Sequence, residues 1–180
     1  MSDPNSDGIH VDRSITVNRP PDEVYRFWHD FENLPLFMRH LEEVRSQGNG
    51  RSHWKAKAPG GTTVEWDAEI VEDIPNEAIS WRSIDGGAVR NAGTVRFSPA
   101  PRGRGTEVRV HLDYEPPGGK VTAALAKLFR EEPGQQVRDD LYAFKQVMET
   151  GEVLLSDASL FGEPHPARPP APNELQERER

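Results

Sequence analysis

The sequence predicts an α+β domain in which an antiparallel sheet is flanked by helices. Three observations carry this. Apolar and polar residues alternate with period two in several separate segments, as half-buried strands require. The gaps between those segments hold glycine, proline, asparagine and aspartate in turn-forming combinations. Stretches with helical apolar spacing stand before and after the strand-rich middle.

The first strand is set by Ile9, Val11, Ile15 and Val17, which alternate with His10, Asp12, Ser14 and Thr16; Arg13 is the exception on the apolar phase. Pro20-Pro21-Asp22-Glu23 then makes a good helix start, with proline in the first turn and carboxylates at the positive end of the dipole. Val24, Phe27, Trp28 and Phe31 follow with the spacing of one buried face. A second short helix is expected from Asn33 through Leu34-Pro35-Leu36-Phe37-Met38.

From near Leu41 to Tyr114 the pattern predicts a meander of about six strands. Its clearest members are Val64-Trp66-Ala68-Ile70 and Val108-Val110-Leu112-Tyr114. Shorter ones are Ser52-Trp54-Ala56, Ile79-Trp81-Ser83 and Val95-Phe97. Turns fall at Gly48-Asn49-Gly50, Pro59-Gly60-Gly61, Pro75-Asn76-Glu77, Asp85-Gly86-Gly87 and Arg102-Gly103-Arg104-Gly105. A last helical region begins after Gly118-Gly119, with Val121, Leu125, Leu128 and Phe129 on one face. It is interrupted at Pro133 and resumes with Val137, Leu141, Phe144 and Met148 before a stop at Gly151. The break at Glu131-Glu132-Pro133-Gly134 reads either as a kink fitting a long helix to a curved sheet or as the hinge of a lid.

The domain is expected to span residues 9–151. Residues 1–8 read as a disordered N-terminus. Residues 152–180, with prolines at 164, 166, 169, 170 and 172 and a charged end, read as a disordered tail that cannot bury enough apolar area to offset its ordering entropy. No internal repeat is visible.

Composition narrows the function. Of 180 residues, 34% are hydrophobic and the formal net charge is −8, so a nucleic-acid or polybasic membrane partner is disfavoured by repulsion. With no cysteine, thiol catalysis, disulfides and thiolate metal sites are excluded. No apolar run is long enough to span a bilayer, so stable membrane insertion is not expected. The N-terminus lacks the features of a signal peptide, and the expected location is cytoplasmic.

The order strand, two short helices, meander, long broken helix resembles the helix-grip fold, a curved antiparallel sheet of about seven strands wrapped around a long C-terminal helix. Several stretches are similar to the bacterial polyketide cyclase/dehydrase subgroup of the START-like (SRPBCC) superfamily, which is related to coenzyme Q-binding START-domain proteins. They are Ser14–Pro21 with Val24-Tyr25, Phe31-Glu32-Asn33-Leu34-Pro35, His53-Trp54, Glu65–Ile70, Ile79–Ser83 and Gly105–Val108. The last is Asp140-Leu141-x-x-Phe144-Lys145-x-x-Met148-Glu149-x-Gly151-Glu152. The resemblance implies a cavity between sheet and C-terminal helix that holds a hydrophobic small molecule, a lipid, quinone or polyketide-like compound. It carries over no catalytic residue.

Trp54, Trp66, Trp81, Phe97 and Tyr114 all lie on the apolar phase of their strands. They form either a packed core or, as the resemblance implies, the wall of a pocket. With Phe37, Leu125, Phe129, Leu141 and Phe144 they make the candidate cavity lining, and His40 and Ser83 are the candidate polar contacts. Arg82 lies on the polar phase and is expected in solvent.

Catalytic signatures are absent. The six histidines show no H-E-x-x-H spacing, and His10, His53 and His111 lie on polar strand phases, so no metal site is expected. The paired carboxylates Asp67 and Glu69, and Glu107 and Asp113, fall on the face opposite the tryptophans and read as solvated surface. Phosphate-binding loops and a G-x-S-x-G elbow are missing, and no cofactor is expected. Few polar groups are expected on the inner face. The residues therefore point to a non-enzymatic binding or carrier role. The alternative is a polyketide cyclase, aromatase or dehydratase working in the same cavity without metal or nucleotide cofactor. A third reading is an interaction protein with a fully packed core.

Overall fold

Period-two patterning produces seven strands in the computed structural model, which describes residues 8–58, 61–84, 89–115 and 133–151. They are β1 (Ile9–Val17), β2 (Leu41–Gly48), β3 (Arg51–Ala58), β4 (Thr62–Ile74), β5 (Ala78–Ser83), β6 (Arg90–Pro99) and β7 (Thr106–Glu115). Every neighbouring pair is antiparallel, in the spatial order β1-β7-β6-β5-β4-β3-β2. The meander expected from Leu41 to Tyr114 is therefore continuous, and the first strand joins it at the far edge beside β7.

Register explains which side chains meet. Trp54 stands directly opposite Trp66 across β3 and β4. Trp81 stands opposite Ile70 on one side and Gly93 on the other, and Gly93 in turn faces Leu112. A methyl group on Gly93 would lie 2.3 Å from Cζ2 of Trp81 and 2.8 Å from Cδ2 of Leu112, so the missing side chain is what lets the indole lie across β6. Register shifts between Leu41 and Glu43 in β2 and between Ile70 and Glu72 in β4 bend those strands.

Helix α1 (Pro21–His29) buries Val24, Tyr25 and Trp28. It stops two residues earlier than the apolar spacing suggested. Phe31 instead opens a 3-10 helix (Phe31–Leu36), started by the Asp30 carboxylate, which accepts from the backbone N–H of Glu32. Helix α2 spans Pro133–Thr150, and the helical segment expected before Pro133 lies outside the described residues. Its buried residues Val137, Asp140, Leu141 and Phe144 form one stripe. At its C-terminal end, Lys145 Nζ donates to the Thr16 carbonyl at 2.6 Å, Arg19 Nε donates to the Met148 carbonyl at 2.9 Å, and Glu149 accepts from the Asn18 backbone N–H at 2.8 Å. These bonds fasten α2 to the end of β1. The sheet and the α2 stripe close on each other in the helix-grip arrangement.

The other face of the sheet is polar. His53 Nδ1 lies 2.8 Å from Asp67, Arg109 forms a two-point contact with Asp12, and exposed Arg82 pairs with Glu69. Among the described residues, no three or more histidines and carboxylates are grouped to hold a metal ion. No described helix is long and apolar enough to cross a membrane. The helical spacing expected over residues 121–129, and both tails, lie outside the described residues.

Candidate functional site

The inner face is aromatic because the inward positions of three adjacent strands carry indoles. Trp54 and Trp66 stack with centroids 5.7 Å apart, and Trp81 lies nearly parallel to Trp54 at 6.4 Å. Phe31, at the start of the 3-10 helix, sets its edge against both Trp54 and Trp81 at 5.5 Å, which fixes the two rings from above. The Trp54 Nε1–H is satisfied within its own strand by Ser52 Oγ at 2.8 Å.

Between these rings and α2 lies a largely enclosed, apolar cavity. Phe37, Trp54, Trp66, Trp81, Tyr114 and Leu141 line it, as does His40. It leaves about 30 Å³ for the centres of water-sized molecules, enough for one or two waters. The alternatives of packed core and pocket thus meet: the walls are core residues, and they leave a small space.

Phe97 and Phe144 are buried but do not line it. Phe97 meets Tyr25 edge-on at 6.0 Å. Phe144 is enclosed by Phe27, Trp28 and Phe37. Ser83 also stands off the cavity, with its hydroxyl accepting from the Asn91 backbone N–H at 3.0 Å. Leu125 and Phe129 lie outside the described residues.

The expectation of few inward polar groups fails at one end. His40, Asn91, Gln136 and Asp140 join Tyr114 on the cavity wall. His40, just before β2, brings Nδ1 to 3.6 Å from Oδ2 of Asp140 on α2, beyond hydrogen-bond length. Burial pushes the Asp140 carboxyl up to about 8, against the opposing pull of the Arg39 backbone N–H and the Arg39 charge. Burial likewise lowers His40 to about 4. The two side chains therefore sit together as a neutral imidazole and a neutral carboxylic acid near pH 7. Burial, and then the nearby Asp140, raise the Tyr114 phenol, which stays protonated. A neutral acid, a neutral imidazole and a phenol can donate or accept hydrogen bonds, and can pass a proton, in a space shielded from water.

Asp140 had a sequence signal: it occupies the buried stripe Val137, Leu141, Phe144, where a carboxylate is out of place. Asn91 shares the inward phase of Val95 and Phe97 in the same way. Trp28 was visible as an apolar helix position, but only the fold shows that it reaches the same cavity as the strand tryptophans.

A family model described as polyketide cyclase / dehydrase and lipid transport matches residues 17–141. An uncharacterized 17.2 kDa protein from the melC2-rnhH intergenic region of Streptomyces lincolnensis is 33% identical over 141 residues, covering 77% of this chain and 89% of that one. The crystal structure of DR_A0006 from Deinococcus radiodurans is 40% identical with a TM-score of 0.66, over 80% of this chain and 99% of that chain. A START superfamily protein from Mycobacterium smegmatis shares the fold at 14% identity, with a TM-score of 0.62 over 79% of this chain and 99% of that one.

Proposed function

The chain belongs to the polyketide cyclase / dehydrase and lipid transport family, and from that premise we propose that it binds and carries a hydrophobic small molecule in the cavity between sheet and α2. The observation that carries this reading is the stacked wall of Trp54, Trp66 and Trp81 facing an enclosed apolar space. Flat rings offer large contact area to a fused-ring or isoprenoid guest at little conformational cost. Room for one or two waters is smaller than any such guest, so loading displaces part of the wall. Met38 is suited to yield, because an unbranched thioether repacks easily. No metal or nucleotide cofactor is needed for this role.

Native mass spectrometry of the protein purified from its own cells tests the proposal. A retained apolar compound of a few hundred daltons is the expected result. Protein that emerges empty, and whose tryptophan signals do not move when quinones, polyphenols or neutral lipids are added, would overturn it.

A second reading, a cyclase or dehydratase using the same cavity, is favoured by one observation: His40 and Asp140 face each other across 3.6 Å in that wall. Turnover of a supplied polyketide that disappears in His40→Ala, with the fold intact and binding weakened far less than turnover, would establish it over carriage alone.

A further inference from the structure

Four side-chain polar atoms among the described residues are buried with no hydrogen-bond partner: Trp28 Nε1, His40 Nδ1, Trp66 Nε1 and Asn91 Oδ1. Each unpaired buried donor or acceptor destabilises a fold, so native proteins leave few of them. Here all four belong to residues that line the same cavity. They come from α1, the residue before β2, β4 and β6, so no single local distortion produces them. Trp54 provides the contrast, since its indole N–H is paired with Ser52.

The two indoles can only donate, so they require acceptor atoms. The Asn91 amide and the neutral His40 ring can each donate or accept. A plain hydrocarbon would leave all of them unpaired. An anion would meet a different obstacle, because no lysine or arginine is among the described residues lining the cavity. A carboxylate buried there would have no cationic partner among those lining residues.

Resting on the proposed binding role, we infer that the cavity selects uncharged ligands bearing hydroxyl or carbonyl oxygens, with Trp28, His40, Trp66 and Asn91 as the residues that pair those oxygens. It rejects both the bare hydrocarbon and the carboxylate built on the same skeleton.

The test compares three probes of one shape, 2-naphthol, 2-methylnaphthalene and 2-naphthoate, against the full chain at pH 7. All four tryptophans of the chain line the cavity, so the indole N–H resonances of the nitrogen-15-labelled protein report binding directly. The expected result is that 2-naphthol binds at least about tenfold more tightly than either of the others and moves the Trp28 and Trp66 indole signals more than that of Trp54. In Trp66→Phe, 2-naphthol binding weakens about 2–10-fold while 2-methylnaphthalene binding does not weaken. Equal binding of 2-naphthol and either comparator overturns the selectivity and leaves the binding role standing. Failure of all three to bind overturns the binding role itself. The wild-type comparison stands on its own if Trp66→Phe does not fold.

Discussion

Replacing Gly93 by alanine tests the packing of the indole wall with the smallest possible change. The added methyl would sit 2.3 and 2.6 Å from Cζ2 and Cε2 of Trp81, and 2.8 Å from Cδ2 of Leu112. Carbon atoms rest comfortably at about 3.5–4.0 Å, so the ring has to withdraw by roughly 1 Å or more. It has little freedom to do so. Trp81 is 4% exposed, lies against Trp54, and carries the edge of Phe31. Overpacking of this kind costs about 1–3 kcal/mol, offset by up to about 1 kcal/mol from the lower entropy of an unfolded alanine. The net loss is about 1–2 kcal/mol, which for a domain of this size lowers the melting temperature by roughly 3–8 °C. Thermal unfolding followed by far-ultraviolet circular dichroism measures the loss, and the near-ultraviolet spectrum reports the indole displacement. A variant that melts with the wild type and keeps its near-ultraviolet spectrum would show that Trp81 does not lie over Gly93.

Asp140 and His40 predict a pH window. A carboxyl raised from 3.8 to about 8 loses folded-state stability as pH climbs through that interval, because the unfolded chain ionises first. An imidazole lowered from 6.5 to about 4 does the opposite between those values, so the two nearly cancel below 6.5. Between pH 6.5 and 8 the carboxyl acts alone, and wild-type stability is expected to fall by about 2 kcal/mol. Urea titrations of Asp140→Asn should show that slope removed, and an unchanged slope would refute the assignment. The Tyr25 hydroxyl donates to Asp73, which also meets His29 at 2.8 Å. Tyr25→Phe should lower stability by about 0.5–1.5 kcal/mol in chemical denaturation, and no loss would mean the bond contributes nothing. Phe144 is fully buried among three aromatic rings. Phe144→Ala should cost about 3–5 kcal/mol by the same measurement, and a loss below about 1 kcal/mol would contradict its place in the core.

The sheet was legible because its signal is local. Alternation in Val64–Ile70 and Val108–Tyr114 reports a strand without reference to its neighbours, and the glycine turns report the connections. The end of α1 was less so. Trp28 and Phe31 share a helical spacing, yet the Asp30 side chain supplies a competing cap that starts a new turn between them. Half of the candidate site was readable for a similar reason: Trp54, Trp66 and Trp81 are inward by phase alone. Its polar end was not, because His40 and Asp140 lie about a hundred positions apart and acquire meaning only when α2 closes on the sheet. Phase alone also did not separate Phe97 from the cavity, since it gives the face of the sheet but not the place along the strand, where Phe97 meets Tyr25 of α1.

The place of β1 in the sheet has a consequence for how the chain is made. Ile9 lies opposite Tyr114 and Val17 opposite Thr106, so the first and the last of the described strands pair with each other. Strands β2 to β7 can zip up by successive hairpins, each joining near neighbours. Wherever β1 is unpaired, β7 presents an open edge of backbone donors and acceptors to any passing strand. The closing contact spans nearly the full domain, and α2 is then fastened to that same strand through Thr16, Asn18 and Arg19. A topology this non-local places folding in the range of milliseconds to seconds. Any species in which β1 is not yet paired carries an unpaired β7 edge, in addition to the β2 edge that the folded sheet keeps.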